Sequence, residues 1–160
     1  MNTGTVILLV VVALIVLIGV YFGATYNKLV KSKNSVEEAF STMDVYLKKR
    51  WDLIPNIVAS VKGYAKHEAE TLEKVISTRN NGYSSMNSQQ KLEANAELNT
   101  AIKSLNVVAE QYPELKANQN FMDLNAQLKK TEEDISNARK FYNAVVKQYN
   151  NTVEMFPSSI

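Results

Sequence analysis

The first 27 residues of this chain carry no charged side chain, and this feature constrains the fold more than any other. Within them, Thr5 to Ala24 form an uncharged apolar run of 20 residues. At about 1.5 Å per residue, a helix of that length spans about 30 Å, the thickness of the hydrocarbon core of a bilayer. A lone segment crosses lipid only as a helix, because its backbone polar groups must bond within the segment. We therefore predict a transmembrane anchor in residues 1–25 and a separate domain in residues 26–160.

A cleaved signal peptide is the competing interpretation, but it needs a basic N-terminal region and a shorter apolar stretch. Residues 1–4 contain no Lys or Arg, whereas Lys28, Lys31 and Lys33 directly follow the run. The positive-inside rule then predicts an N-terminus outside the cell and a cytoplasmic C-terminal domain. The same three lysines are candidates for contact with anionic lipid headgroups.

The remainder of the chain has the period of helices. Apolar residues recur every three or four positions, and no stretch alternates as a strand does. Polar breaks separate the apolar stripes, and Asn87 or Ser88 and then Asn118 or Asn120 are candidate helix caps. The stripes are Leu29 to Ile54, Ile57 to Ile76, Leu92 to Tyr112, and Phe121 to Val153. This pattern predicts an all-α protein.

Pro55 decides how many helices there are, because proline removes a helical hydrogen bond and clashes with the preceding turn. A helix from Asn27 to Arg79 would be about 80 Å long, whereas the longest partner, Asn120 to Glu154, would reach about 52 Å. We therefore prefer a turn at Pro55, which gives an up-and-down, antiparallel four-helix bundle behind the membrane helix. The alternative is one long helix with a kink at Pro55. In the bundle, the fourth helix returns to the membrane and brings Phe156-Pro157-Ser158 near the lipid surface.

No catalytic, cofactor or metal motif is recognisable. The chain has no cysteine and a single histidine, His67, which lies in neither a Glu-x-x-His pair nor a His-Glu-x-x-His motif. Phosphate loops are absent as well. The net charge of +2 is spread along the chain, so nucleic-acid binding is not expected. The acidic group around Glu132 is interpreted as a solvated face; alternatively Glu132 and Arg139 join Arg50 or Arg79 in a polar layer of the core.

Several strings resemble the LemA family, and the similarity covers nearly the whole chain. The most specific is Asp52-Leu53-Ile54-Pro55-Asn56. The others include Met43-Asp44-Val45, Lys48-Lys49-Arg50, Val61-Lys62-Gly63-Tyr64, Tyr112-Pro113-Glu114-Leu115, Ala138-Arg139, Tyr142-Asn143 and Phe156-Pro157-Ser158.

This resemblance implies a bacterial inner-membrane protein with a helical-bundle domain and no established reaction. It implies structural roles for the family-motif residues Asp44, Arg50, Asp52, Pro55, Asn56, Arg139, Tyr142 and Asn143. Relatives include a magnetosome-associated branch, and the family is often linked to membrane proteases and envelope stress. Relatives also continue into an apolar tail where this chain stops at Ile160.

Three functions follow as hypotheses. The preferred one is a non-catalytic interaction or scaffold module that binds an unidentified membrane protein and needs no cofactor. The second is a homo-oligomer that organises the membrane, because Gly19 and Gly23 form a small-xxx-small pair through which membrane helices pack closely. The third is a lipid hydrolase using Asp44, His67 or Glu132.

Overall fold

The computed structural model describes residues 2–79 and 82–156, and within these ranges the chain is helical without a strand. The all-α prediction is therefore confirmed. The helices, in chain order, are α1 (Thr3–Tyr64), α2 (Ala69–Ser77), a short 3-10 helix (Tyr83–Ser85), α3 (Ser88–Gln111), α4 (Pro113–Lys116) and α5 (Gln119–Glu154).

The predicted turn at Pro55 is wrong, because α1 continues through this residue for two more turns. The Pro55 side chain is exposed, while Ile54 and Ile57 on either side are fully buried. The apolar stripe thus continues across the proline. Burial of such side chains stabilises the helix by about 1.5–3 kcal/mol each, which together outweighs the roughly 3 kcal/mol cost of an internal proline. The alternative of a helix continuing through Pro55 is the correct one, and the set of four helices of similar length is not formed.

The predicted helix boundaries in the second half of the chain are confirmed. Asn87 and Gln90 form a capping box at the start of α3, in which each side-chain oxygen accepts the other residue's backbone N–H at 2.9 Å. Helix α3 ends at Gln111, two residues before Pro113. Asn118 caps α5, since its side-chain oxygen accepts the N–H of Phe121 at 3.0 Å.

The chain divides into two compact units. The anchor unit comprises Met1–Ala39 with Phe141–Ile160, and the core unit comprises Phe40–Lys140. In the core unit, the start of α5 contacts the end of α1: the Asn120 amide donates to the Ser60 hydroxyl at 2.9 Å. The largest fully buried side chains of this unit come from all five of its α-helices, and they are Met43, Ile54, Ile57, Val61, Val75, Leu98, Leu105, Leu115 and Thr131.

In the anchor unit, the apolar run lies inside α1. Its large hydrophobic side chains, from Val6 to Phe22, are exposed. By length and composition, this helix is a candidate membrane span near the N-terminus. Helix formation and the apolar surface predicted for residues 5–24 are therefore present in the structure. The expected position of Pro157 and Ser158 at the lipid surface lies outside the described residues.

Candidate interaction site

A charged layer of the core unit is built around the buried side chain of Arg50. The side chain of Arg50 on α1 is only 4% exposed, and its guanidinium forms an ion pair with Glu132 on α5. The same guanidinium donates a 3.1 Å hydrogen bond to the side-chain oxygen of Asn95 on α3. One arginine thus connects three helices. The structure thus supports the predicted pairing of Glu132 with Arg50, but Glu132 and Arg139 themselves lie at the surface and not in the core.

Burial lowers the pKa of Arg50 from its ordinary value, and Glu132 opposes this effect. The positive charge of Arg139 lowers it further. Arg50 nevertheless stays protonated at neutral pH, because free guanidinium titrates far above that range. An unpaired buried cation would be strongly destabilising. The charge of Arg50 therefore favours the packing of α1, α3 and α5 that brings Glu132 and Asn95 to its guanidinium.

A second polar group surrounds Asp44 on α1. Its carboxylate pairs with the Lys91 ammonium on α3 at 2.6 Å and accepts the hydroxyl hydrogen of Tyr83. Burial and the Asp44 carboxylate both raise the pKa of Tyr83 far above its ordinary value of 10.0. Lys91 also lies 4.8 Å from the centre of the Tyr83 ring. This group holds the 3-10 helix and the start of α3 against α1.

Trp51 extends this group through a tilted aromatic contact. Its ring packs against Tyr83 with a centroid separation of 5.5 Å, and the Arg79 guanidinium lies 5.3 Å from the Trp51 ring centre. Cation–π contacts of this kind contribute about 0.5–2 kcal/mol. Arg79, the other arginine considered for the charged layer, is thus placed on an aromatic face.

The remaining family-motif residues lie at the surface or in the other unit. Asp52 forms a 2.8 Å ion pair with Lys48 one turn earlier, and Pro55 and Asn56 are exposed. Arg139 is exposed, close enough to Arg50 to influence its pKa. In the anchor unit, Tyr142 is half-buried and Asn143 is exposed. His67 is exposed in the turn before α2.

Three partners of these polar groups are not predicted from the sequence: Tyr83, Lys91 and Asn95. Tyr83 and Lys91 lie in or near a turn, where polar residues are ordinary and carry no signal. Asn95 does leave a signal. It lies three residues before Leu98 and three after Leu92, so it interrupts an apolar stripe at a core position, and a buried amide needs a partner.

An apolar groove lies on the surface of the core unit, between the end of α1 and α2. It has a volume of about 620 Å³. Its apolar lining is provided by Val58, Ala65, Ala69, Leu72 and Ile76, and its charged lining by Lys62, Lys66 and Glu73. Ile76 is 51% exposed, whereas its neighbour Val75 is buried, so Val75 is the core residue of the pair and Ile76 belongs to the groove. The groove is therefore a candidate docking surface.

Across residues 2–79 and 82–156, no three His, Cys, Asp or Glu side chains are grouped so as to hold a metal ion. The two carboxylates considered for hydrolysis, Asp44 and Glu132, each face a basic partner, Lys91 and Arg50 respectively.

These features define a class of protein: an all-α protein in which the helix that contains a candidate membrane-spanning segment also contributes a buried, ion-paired arginine to a helical domain. The chain belongs to the LemA family, whose model matches residues 39–160. The predicted resemblance is thereby confirmed.

One relative is Protein LemA of Metamycoplasma hominis, which is 25% identical over 138 residues. The aligned region covers 86% of this chain and 63% of the relative, so the chain spans less than two thirds of that protein's length.

Proposed function

We propose that this chain is a non-catalytic interaction module anchored in the bacterial inner membrane by a single span. The groove of the core unit carries this proposal, because it is a concave apolar surface in which Ile76 is exposed beside Val58, Ala65 and Leu72. The proposed topology places the N-terminus outside and the helical domain in the cytoplasm, supported by the lysines that follow the apolar run. Antiparallel packing of the domain's helices, predicted from the sequence, is part of the proposal.

The proposed occupant of the groove is an amphipathic helix with acidic residues, contributed by another membrane protein. Helices bind such grooves with apolar side chains spaced three or four residues apart. Lys62 and Lys66 lie on one side of the groove, one turn apart, and among the described residues neither forms an ion pair. Glu73 lies on α2 and carries the opposite charge. Charges of both signs would orient a peptide, whereas a lipid surface would be met by positive charge alone.

Site-specific photocrosslinking in native membranes tests this proposal. A photoreactive residue at Ile76 should yield a discrete crosslinked product that is lost when Lys62 and Lys66 are both changed to Glu. The matched control is a photoreactive residue at Val107, which is similarly exposed on α3 and should not yield that product. Equal labelling from both positions, or labelling at Ile76 that is insensitive to the charge reversal, would refute the groove as the docking surface.

Self-association through the membrane span is a second candidate. Gly19 and Gly23 lie one helical turn apart, and a Cβ atom added at either position meets no other atom within 4 Å. A second helix therefore has open access to this small-residue face. Replacement of both glycines by Leu leaves the single chain undisturbed, so a change of oligomer size in detergent would support this candidate and an unchanged size would contradict it.

A further inference from the structure

The last turns of α5 lie against the first turns of α1 that follow the apolar run. Tyr149 and Val153 on α5 line a cleft of about 540 Å³ together with five residues of α1, which are Tyr26, Leu29, Val30, Lys33 and Asn34. Half-buried residues recur on both helices at intervals of three or four, as in paired helices. On α5 they are Tyr142, Val145, Val146, Tyr149 and Thr152. All of these residues belong to the anchor unit.

The two residues that directly follow α5 expose apolar side chains. Met155 is 64% exposed and Phe156 is 75% exposed. Val153 shares the cleft with Leu29 and Val30. The contacts between α1 and α5 follow reverse order, since Asn120 contacts Ser60 and Glu132 contacts Arg50. Met155 and Phe156, which follow Val153 in the chain, therefore lie toward Tyr26. Tyr26 lies two residues after the apolar run. The exposed end of α5 thus lies at the height where the run leaves the bilayer.

The lysines that follow the apolar run of α1 also suit the interfacial region of a bilayer. Lys28, Lys31 and Lys33 occupy the first two turns beyond Tyr26, and Lys33 forms a 3.7 Å ion pair with Glu37. Glu154 is the acidic residue at this end of α5. Lysines are attracted to anionic headgroups, and aromatic side chains favour the interfacial region.

We propose that the end of α5, through Met155 and Phe156, inserts into the interfacial region of the same leaflet that α1 leaves. The chain then has two lipid contacts, one spanning and one peripheral, and α5 is held to the membrane at its C-terminal end. This inference rests on the proposed function only in requiring that α1 spans the bilayer. The lipid surface is the proposed partner of Met155 and Phe156. Two features favour it: these exposed apolar residues lie near the end of the apolar run of α1, and lysines flank that end.

The absence of cysteine from the chain makes the test direct, since one introduced cysteine is the only thiol. The full chain carrying Met155→Cys is labelled with a nitroxide and reconstituted into vesicles of phosphatidylcholine and phosphatidylglycerol. Electron paramagnetic resonance then measures collisions with oxygen, which concentrates in lipid, and with a nickel chelate, which stays in water. Phe141→Cys is the matched control, because Phe141 is an exposed apolar residue of α5 in the same unit. Tyr21→Cys reports on the span.

At position 155 we expect an oxygen-to-nickel collision ratio several-fold above that at position 141. A ratio equal to that at 141 would overturn the inference. Exclusion of both reagents at 155 would also overturn it, since this result indicates cover by a second protein copy. A lipid-like ratio at position 21 combined with a water-like ratio at 155 would refute only the peripheral contact, whereas a water-like ratio at position 21 would refute the membrane anchor itself.

Discussion

Removal of Glu132 should destabilise the core unit much more than its exposed position suggests. The Glu132→Ala change leaves the guanidinium of Arg50, which is 4% exposed, without its countercharge. Breaking a fully buried ion pair costs about 3–5 kcal/mol. Glu132 is 48% exposed, and Asn95 still accepts a hydrogen bond from Arg50, so part of this cost is avoided. We expect a loss of about 1.5–3 kcal/mol, as for a hydrogen bond to a charged group.

The double variant Arg50→Met/Glu132→Ala separates the ion pair from the effects of each side chain. Once Arg50 is Met, no buried charge remains to be compensated, so the added Glu132→Ala change should cost little. The coupling energy of the cycle should then exceed about 1 kcal/mol, as is found for residues in direct contact. Glu133→Ala is the control, because Glu133 is an exposed neighbour on the same helix and its loss should change stability by less than about 0.5 kcal/mol.

Urea unfolding of the full chain in detergent measures these differences. Trp51 is the only tryptophan, and it is buried in the core unit beside Tyr83, so its fluorescence reports on unfolding of this unit. With a slope of about 1–3 kcal/mol per molar urea, a loss of about 2 kcal/mol lowers the midpoint by roughly 1 M. Equal midpoints for Glu132→Ala and Glu133→Ala, or a coupling energy near zero, would refute the charged layer as a stabilising contact.

Three other predictions concern separate features of the chain. Pro55→Ala should stabilise the core unit by up to about 3 kcal/mol, seen as a higher urea midpoint, because α1 continues through this exposed position; a lower midpoint would contradict a continuous helix. Asn87→Ala should cost about 0.5–2 kcal/mol and speed amide hydrogen exchange at the start of α3, since it removes the capping box; Asn106→Ala, an exposed mid-helix change, is the control. Because the pKa of Tyr83 is raised in the folded state, its contribution to stability is complete below pH 10 and declines as the pH rises further, at up to about 1.4 kcal/mol per pH unit; Tyr83→Phe should show a shallower decline in urea unfolding between pH 10 and 11.

The Arg50–Glu132 ion pair contributes to stability in the proposed function, whereas the groove contributes to binding. The ion pair is a contact that holds α1, α3 and α5 in one arrangement, and its partners are internal. The groove is formed at the end of α1 and by α2, where the packing of these helices leaves Ile76 exposed. Variants of the ion pair should therefore act on stability, whereas variants of the groove should act on binding with little change in the urea midpoint.

The sequence by itself determined the features that depend on local pattern. In lipid, a lone 20-residue uncharged run can form all its backbone hydrogen bonds only as a helix. The three- and four-residue spacing of apolar side chains in the rest of the chain indicates the all-α class. The caps at Asn87 and Asn118 could also be predicted from the sequence, because the residues that bond to them lie within one helical turn. Family membership followed from strings such as Asp52 to Asn56.

The tertiary structure alone decided the features that depend on distant partners. The low helix propensity of proline favours a break at Pro55, but the free energy gained by burying Ile54 and Ile57 outweighs it. That gain depends on contacts with distant parts of the chain, so local sequence patterns do not predict it. The bonds from Arg50 to Asn95 and from Asp44 to Lys91 connect positions 45 and 47 residues apart, so their pairing depends on how the helices are aligned. The exposure of Ile76 beside buried Val75 is likewise a result of packing, since both residues suit the same apolar stripe.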